Sequence, residues 1–310
     1  MLSMKQFSFQ LEPVPPFKLD LTAWVLRRRP DNVVDRWDGK NYRRVIVVSN
    51  EPLEVTAIQT GSADEPRLRV TVMGETLPSD AKSTVTAALE RLLGVDIDLK
   101  DFYRFALRDK RLKPLMQRFQ GFKPPRFLTV YEALVNGITC QQLTLTFGIR
   151  ILNRLAMAFG REFQTLQGPA YAFPQPADLV NAEPQALRKL AYSRQKTRAL
   201  LELSRSIMDG RVNLDRLETM TDDIARKYLD ELRGVGRWTA EYVLLRGFGR
   251  LHVFPADDVG VRRNLEHWLN LQESLDYAST RQVLARWKLY AGLIYFHLLL
   301  NGLTQGGYMK

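Results

Sequence analysis

The chain has 310 residues, with 45 Lys and Arg against 34 Asp and Glu, for a formal net charge of +11. That length suffices for two domains, and the charge implies an anionic partner, most simply nucleic acid. The single cysteine, Cys140, excludes an internal disulfide and a four-cysteine iron–sulfur cluster, and the three histidines show no metal-ligand spacing. No apolar run reaches the roughly 18 residues of a membrane helix, and the N-terminus lacks a signal-peptide pattern. A cytoplasmic protein without a membrane partner is the expectation.

In the first hundred residues FSFQLEP, YRRVIVVSN, LEVTAIQTG and RLRVTVMG are short, β-branched, partly alternating runs broken by Gly, Pro, Asn and Asp. They predict antiparallel strands. DLTAWVLRR predicts a short helix, and SDAKSTVTAALERLLGV a longer one capped by Ser79 or Asp80 and stopped by Gly94. The fold class is therefore α+β, with a small antiparallel-sheet domain over residues 1–112 and an all-helical domain over 113–310.

From Asp101 onward the pattern is almost entirely helical. Residues 101–127 are basic and aromatic, and Lys123-Pro124-Pro125 predicts an exposed connection. Thr129 caps a long amphipathic pattern that ends at Gly160 and is interrupted at Ile138–Gln142. Two adjacent glutamines, Gln141 and Gln142, are unusual inside so apolar a stretch. After the loop QGPAYAFPQPADL comes the helical PQALRKLAYSRQKTRALLELSRSIMDG, in which Lys196 is either a phosphate contact or ordinary surface charge. The last part, ESLDYASTRQVLARWKLYAGLIYFHLLLNGL, predicts a helix pair.

Residues 232–265, LRGVGRWTAEYVLLRGFGRLHVFPADDVGVRRNL, carry most of the information. Gly234 and Gly236 form a tight turn between two helical patterns, a helix–hairpin–helix over about 223–247, with Val235 pointing into the core. The main-chain N–H groups from 234 to 239 then open a helix, where orphan donors and the dipole favour an anion. The bland alternative is a connection that uses glycine for geometry alone. Asp258 opens the next helix, and an aspartate there is usually only an N-cap. Here two aspartates, Asp257 and Asp258, compete for one cap in a basic setting. A carboxylate near phosphate is a cost unless it has work, such as stabilising a developing cation.

LRGVGRWTAEYVLL with a downstream Asp resembles the helix–hairpin–helix, Gly/Pro-rich, aspartate-containing DNA glycosylases, and within them the AlkA-like 3-methyladenine DNA glycosylase II branch. By position, Asp258 rather than Asp257 corresponds to the catalytic aspartate, because Val261 and Arg262-Arg263 follow it. The lyase members' lysine is replaced by Trp238, which cannot form a Schiff base. The resemblance implies a base pocket with Trp238 and Tyr242, one helical turn apart, together with Trp24 and Tyr290. For Trp24 and for the Trp238–Tyr242 pair, ordinary core packing stays open. A tryptophan that many members carry twelve residues after Trp287 is Leu299 here, so the pocket is altered. The resemblance also implies DNA contacts at Gly234, Val235, Gly236 and Thr239, and a minor-groove loop at Gln141, Gln142 and Leu143. Either Gln142 or Leu143 is the wedge that fills the gap of the flipped nucleotide. A Na+ or K+ could sit on the backbone carbonyls of Leu232 and Val235; no other cofactor is expected.

The implied activity is monofunctional: a monomer flips a damaged base out of double-stranded DNA, hydrolyses its N-glycosidic bond and leaves an abasic site. Alkylated purines such as 3-methyladenine and 7-methylguanine are the expected substrates. A glycosylase for oxidised guanine, uracil or hypoxanthine, or a non-catalytic helix–hairpin–helix DNA binder, are the alternatives.

Overall fold

The computed structural model describes residues 4–309. The chain begins with β1 (Lys5–Leu11), α1 (Leu19–Arg27), β2 (Arg36–Trp37), β3 (Asn41–Val48), β4 (Glu51–Gln59), β5 (Leu68–Gly74) and α2 (Ala81–Leu93). The strands form one antiparallel sheet in the order β1-β5-β4-β3-β2. β3 turns into β4 through Ser49 and Asn50, both at positive φ, the geometry whose twist matches the flanking strands. The inner face of the sheet buries Ile46, Val48, Leu53, Val55, Val70 and Val72 against α1 and α2. Gly94 ends α2 in the left-handed conformation, as its position in the sequence predicts.

The helical part continues with α3 (Lys100–Arg108), α4 (Leu112–Arg118), α5 (Val130–Cys140), α6 (Leu145–Phe159), a hairpin of β6 (Glu162–Thr165) and β7 (Gly168–Tyr171), and the short α7 (Pro176–Leu179) and α8 (Pro184–Lys189). Then come α9 (Arg194–Met208), α10 (Asp222–Asp230), α11 (Arg237–Arg246), α12 (Val259–Leu269), α13 (Tyr277–Leu284) and α14 (Ala291–Gln305). One core gathers around α5, α6, α9 and α11. A second gathers α3, α4, α12 and α14. Helix α1 belongs to two cores, with Leu19, Ala23 and Leu26 under the sheet and Leu21 and Val25 among the C-terminal helices. Leu99, Phe102, Ala106 and Leu112 pack in that C-terminal core as well.

Three features differ from the sequence expectation. The hairpin β6–β7 lies in a stretch that reads as helix end and loop; a bridge from Val45 to Ala172 attaches it to the sheet, and Phe163 and Ala170 supply its small core. Lys123-Pro124-Pro125 is buried, not exposed. The Lys123 ammonium donates to the Ile97 carbonyl at 2.6 Å while its N–H donates to Thr22 Oγ1, and burial pulls its pKa down to about 8. The run Tyr277–Gln305 is long and apolar enough by composition to cross a membrane. A 3-10 segment with Trp287 at φ −111°, ψ 15° breaks it, and α14 is packed into the core, so its apolar residues serve the interior.

Arg44 on β3, fully buried, donates to Asp35 Oδ1 at 2.7 Å and to Glu132 Oε2 on α5 at 2.6 Å. Burial works against its charge, but the two carboxylates outweigh that and raise its pKa. Tyr42 OH donates to the same Asp35 oxygen at 2.7 Å. Replacing Arg44 by Met leaves two carboxylates buried without their cation, and a loss of about 3–5 kcal/mol in urea unfolding is expected. A variant as stable as wild type would show that the triad contributes nothing.

Candidate active site

The turn between α10 and α11 is built as its glycines demand. Gly234 sits at φ +79°, and a Cβ there would come within 2.8 Å of the Ala199 side chain. Gly236 differs: it is extended, at φ −116°, and a Cβ on it would meet nothing within 4 Å. The fold therefore does not require glycine at 236, whereas a ligand approaching the main chain would. Val235 is buried and packs in the core beneath the turn. Gly236 is the N-cap of α11, so the first-turn N–H groups have no intrahelical partner. The hydroxyl of Thr239, buried, is already engaged by Gln141. Of the Leu232 and Val235 carbonyls named for a monovalent cation, that of Leu232 accepts Val235 N–H at 3.0 Å.

The loop between α5 and α6 is fastened to this turn. Gln141 Nε2 donates to Gly234 O and to Thr239 Oγ1, both at 2.7 Å. Lys196 is not a free surface charge: its ammonium caps the carbonyls of Thr139 and Gln141 at 2.9 and 2.7 Å. The next residue, Gln142, is exposed at φ +56°, while Leu143 is half-buried against the core.

Asp258 and Asp257, adjacent in the chain, have separate tasks. Asp258 Oδ1 accepts Val261 N–H at 3.0 Å and so caps α12. Its Oδ2 accepts Tyr295 OH at 3.0 Å and, at 3.4 Å, the indole N–H of Trp238. Asp257 instead binds Arg237 through both oxygens, at 2.7 and 3.0 Å, and that guanidinium lies 3.7 Å above the Tyr277 ring. Glu241 steadies the loop that carries them, accepting Ala256 N–H at 3.2 Å and Tyr277 OH at 2.7 Å.

The Trp238 ring stacks on the Tyr242 ring at 5.3 Å and 26°. Trp238 is half-buried and Tyr242 is buried. Trp24 and Tyr290 lie elsewhere. Trp24 packs toward the C-terminal core under the Arg27 guanidinium, and Tyr290 rests on Phe102 and Phe105 of α3. Among the described residues, neither ring is paired with the Trp238 or Tyr242 ring.

Two residues at the site were not anticipated. Tyr295 is the only hydroxyl in the apolar run AGLIYFHLLL, and a buried tyrosine needs a partner for its tip; that signal was available. Arg28, buried just past α1, donates to Tyr242 OH at 3.2 Å and to Asn136 Oδ1 at 2.7 Å. Nothing in Arg27-Arg28-Arg29 marks which arginine turns inward.

A hairpin, a capped aspartate and an aromatic stack on one mainly helical frame define a class, and the sequence comparison agrees. Residues 135–289, half of the chain, match the HhH-GPD superfamily of base excision DNA repair proteins, and the chain belongs to that family. It is 24% identical over 243 residues to the DNA-3-methyladenine glycosylase of Bacillus subtilis, covering 78% of this chain and 80% of that one. It is 28% identical over 181 residues to DNA-3-methyladenine glycosylase 2 of Escherichia coli, covering 57% and 60%. The solved 3-methyladenine DNA-glycosylase of Archaeoglobus fulgidus superposes with a TM-score of 0.82 at 26% identity, over 94% of this chain and 97% of that one.

The two hairpin glycines should separate under substitution. Gly234→Ala forces a left-handed alanine and is expected to cost about 1–2 kcal/mol in urea unfolding, while Gly236→Ala should stay within about 0.5 kcal/mol of wild type. A large loss at 236 would mean that the fold itself, not a ligand, requires that glycine.

Proposed function

We propose that the protein is a monofunctional DNA glycosylase of base excision repair that hydrolyses the N-glycosidic bond of alkylated purines, such as 3-methyladenine and 7-methylguanine, in duplex DNA. The observation that carries this reading is the hydrogen-bond reach between Asp258 and Trp238, which puts a carboxylate beside an aromatic stack at the mouth of the hairpin. The names of the relatives point the same way.

On this reading the duplex lies across the hairpin. The N–H groups of the Gly234–Thr239 segment hold one phosphate, a contact that positions the duplex without reading its sequence. A Na+ or K+ on the carbonyls of Leu232 and Val235 would brace the turn from behind. Gln142, exposed and held outward by its left-handed backbone, is better placed than the packed Leu143 to fill the gap of a flipped nucleotide. The base then rests against Trp238 and Tyr242, whose ring faces attract a cationic alkylpurine. One chain carries every group, so a monomer suffices, and an intracellular site of action follows from the substrate.

An alkylated purine already bears positive charge and leaves as a neutral base, so no general acid is required. As the C1′–N bond breaks, positive charge develops on the sugar. Asp258 stabilises it electrostatically and orients the water that adds to C1′, whose proton the carboxylate accepts. Trp238 has no amine with which to trap the sugar, so the strand stays intact.

Release of bases from methylated duplex DNA tests this directly. Asp258→Asn is expected to lower the rate by about 100- to 1,000-fold with duplex binding retained, while Asp257→Asn stays active; strand breaks should appear only after alkali. The reverse ranking of the two aspartates would refute the assignment. Duplex affinity should also fall steeply between about 50 and 200 mM salt, as counterions released by neutralised phosphates predict. An affinity indifferent to salt over that range would argue against a phosphate-binding face.

A further inference from the structure

Tyr295 stands on α14, 4% exposed, in a helix otherwise almost wholly apolar. Its ring is held edge-on by Phe254 at 5.7 Å and Phe296 at 5.8 Å, so the hydroxyl has little freedom. That hydroxyl donates to Asp258 Oδ2 at 3.0 Å. Burial and then the charge of Asp258 push its pKa well above the ordinary tyrosine value, so it remains a protonated donor at neutral pH.

An ionised carboxylate presents about four lone-pair directions. On Asp258, Tyr295 and the longer Trp238 contact occupy Oδ2, and Val261 N–H occupies one direction on Oδ1. The direction left open is the second one on Oδ1. Without the tyrosine hydroxyl, Oδ2 would keep only the 3.4 Å indole contact, and the carboxylate plane could swing about Cβ–Cγ.

We propose that Tyr295 is a positioning residue for Asp258: by holding Oδ2 it fixes the carboxylate plane so that the free lone pair of Oδ1 faces the sugar C1′. The proposal rests on Asp258 being the carboxylate of the reaction described above. Tyr295 is buried, so its effect is exerted through the aspartate it holds. It therefore acts on the cationic state of the sugar and leaves binding of the duplex alone.

The test does not depend on which lesion the protein prefers. Two duplexes serve as probes, one with a pyrrolidine in place of the abasic sugar, whose ring nitrogen is cationic, and one with the neutral tetrahydrofuran. Wild type is expected to bind the cationic probe more tightly. In Tyr295→Phe the preference should fall about tenfold, as loss of one hydrogen bond to a charged group predicts, with tetrahydrofuran affinity unchanged. Asp258→Asn should abolish the preference, and the double variant should match Asp258→Asn alone. If Asp258→Asn loses the preference and Tyr295→Phe keeps it, the tyrosine proposal fails and the Asp258 reading survives. If Asp258→Asn keeps it, or wild type never shows it, the Asp258 reading fails and takes the proposal with it. Equal weakening of both probes by Tyr295→Phe would reveal a general structural role and also overturn the proposal.

Discussion

A guanidinium taken out of water has to be answered by charge, and Arg44 is answered from two sides. Asp35 belongs to the N-terminal unit, whereas Glu132 lies in the first turn of α5. A buried ion pair is weak evidence for net stability, but breaking one is costly, so the triad acts as a register pin between the sheet and α5. The far end of α5 runs into Gln141, which hydrogen-bonds the hairpin at Gly234 and Thr239. A second polar path leaves α1 through Arg28 and reaches Asn136 on α5 and Tyr242 on α11. The sheet supplies no group to Asp258, yet it sets where α5 and its loop stand relative to the aromatic stack.

Helix capping and chemistry are usually weighed as rival explanations of an aspartate, and at Asp258 the observed cap is compatible with the proposed chemistry. The cap consumes a single lone pair of Oδ1. It places the carboxylate at the positive end of the α12 dipole, where negative charge is favoured. It also fixes the side chain without covering it, because Asp258 stays half-exposed while the rest of the loop turns inward at Phe254, Pro255 and Ala256. A carboxylate meant to face a cationic sugar needs all three conditions: negative charge, a fixed direction and an open side.

Much of this was legible in the sequence because it rests on local rules. Alternation gave the strands, Gly94 and Gly160 the ends of α2 and α6, Thr129 the start of α5, and the Gly-Val-Gly turn its inward Val235. What could not be read depends on partners far along the chain. Lys123-Pro124-Pro125 looks exposed from composition, and only the Ile97 carbonyl and Thr22 make its burial tolerable. The β6–β7 hairpin is too short to stand out and is held through Val45 and Ala172. Tyr290 follows the break at Trp287, and its ring rests on Phe102 and Phe105 of α3. Arg28 is one of three consecutive arginines, and its burial is decided by Asn136 and Tyr242, more than 100 positions away.

The tryptophan at position 238 does more than remove a nucleophile. On the proposed mechanism, a lysine there would offer Asp258 a cation and so neutralise the charge that is to stabilise the sugar. The donors that Asp258 has are all neutral: a backbone N–H, an indole N–H and a phenol. Arg237, in the first turn of α11, is bound through Nε and one Nη by Asp257 and stacked on Tyr277. Among the described residues no salt bridge reaches Asp258. The second aspartate therefore has a partner of its own in Arg237. Neutral donors fix the direction of a carboxylate without cancelling its charge. Such donors suit the proposed role, in which the carboxylate meets a transient positive charge.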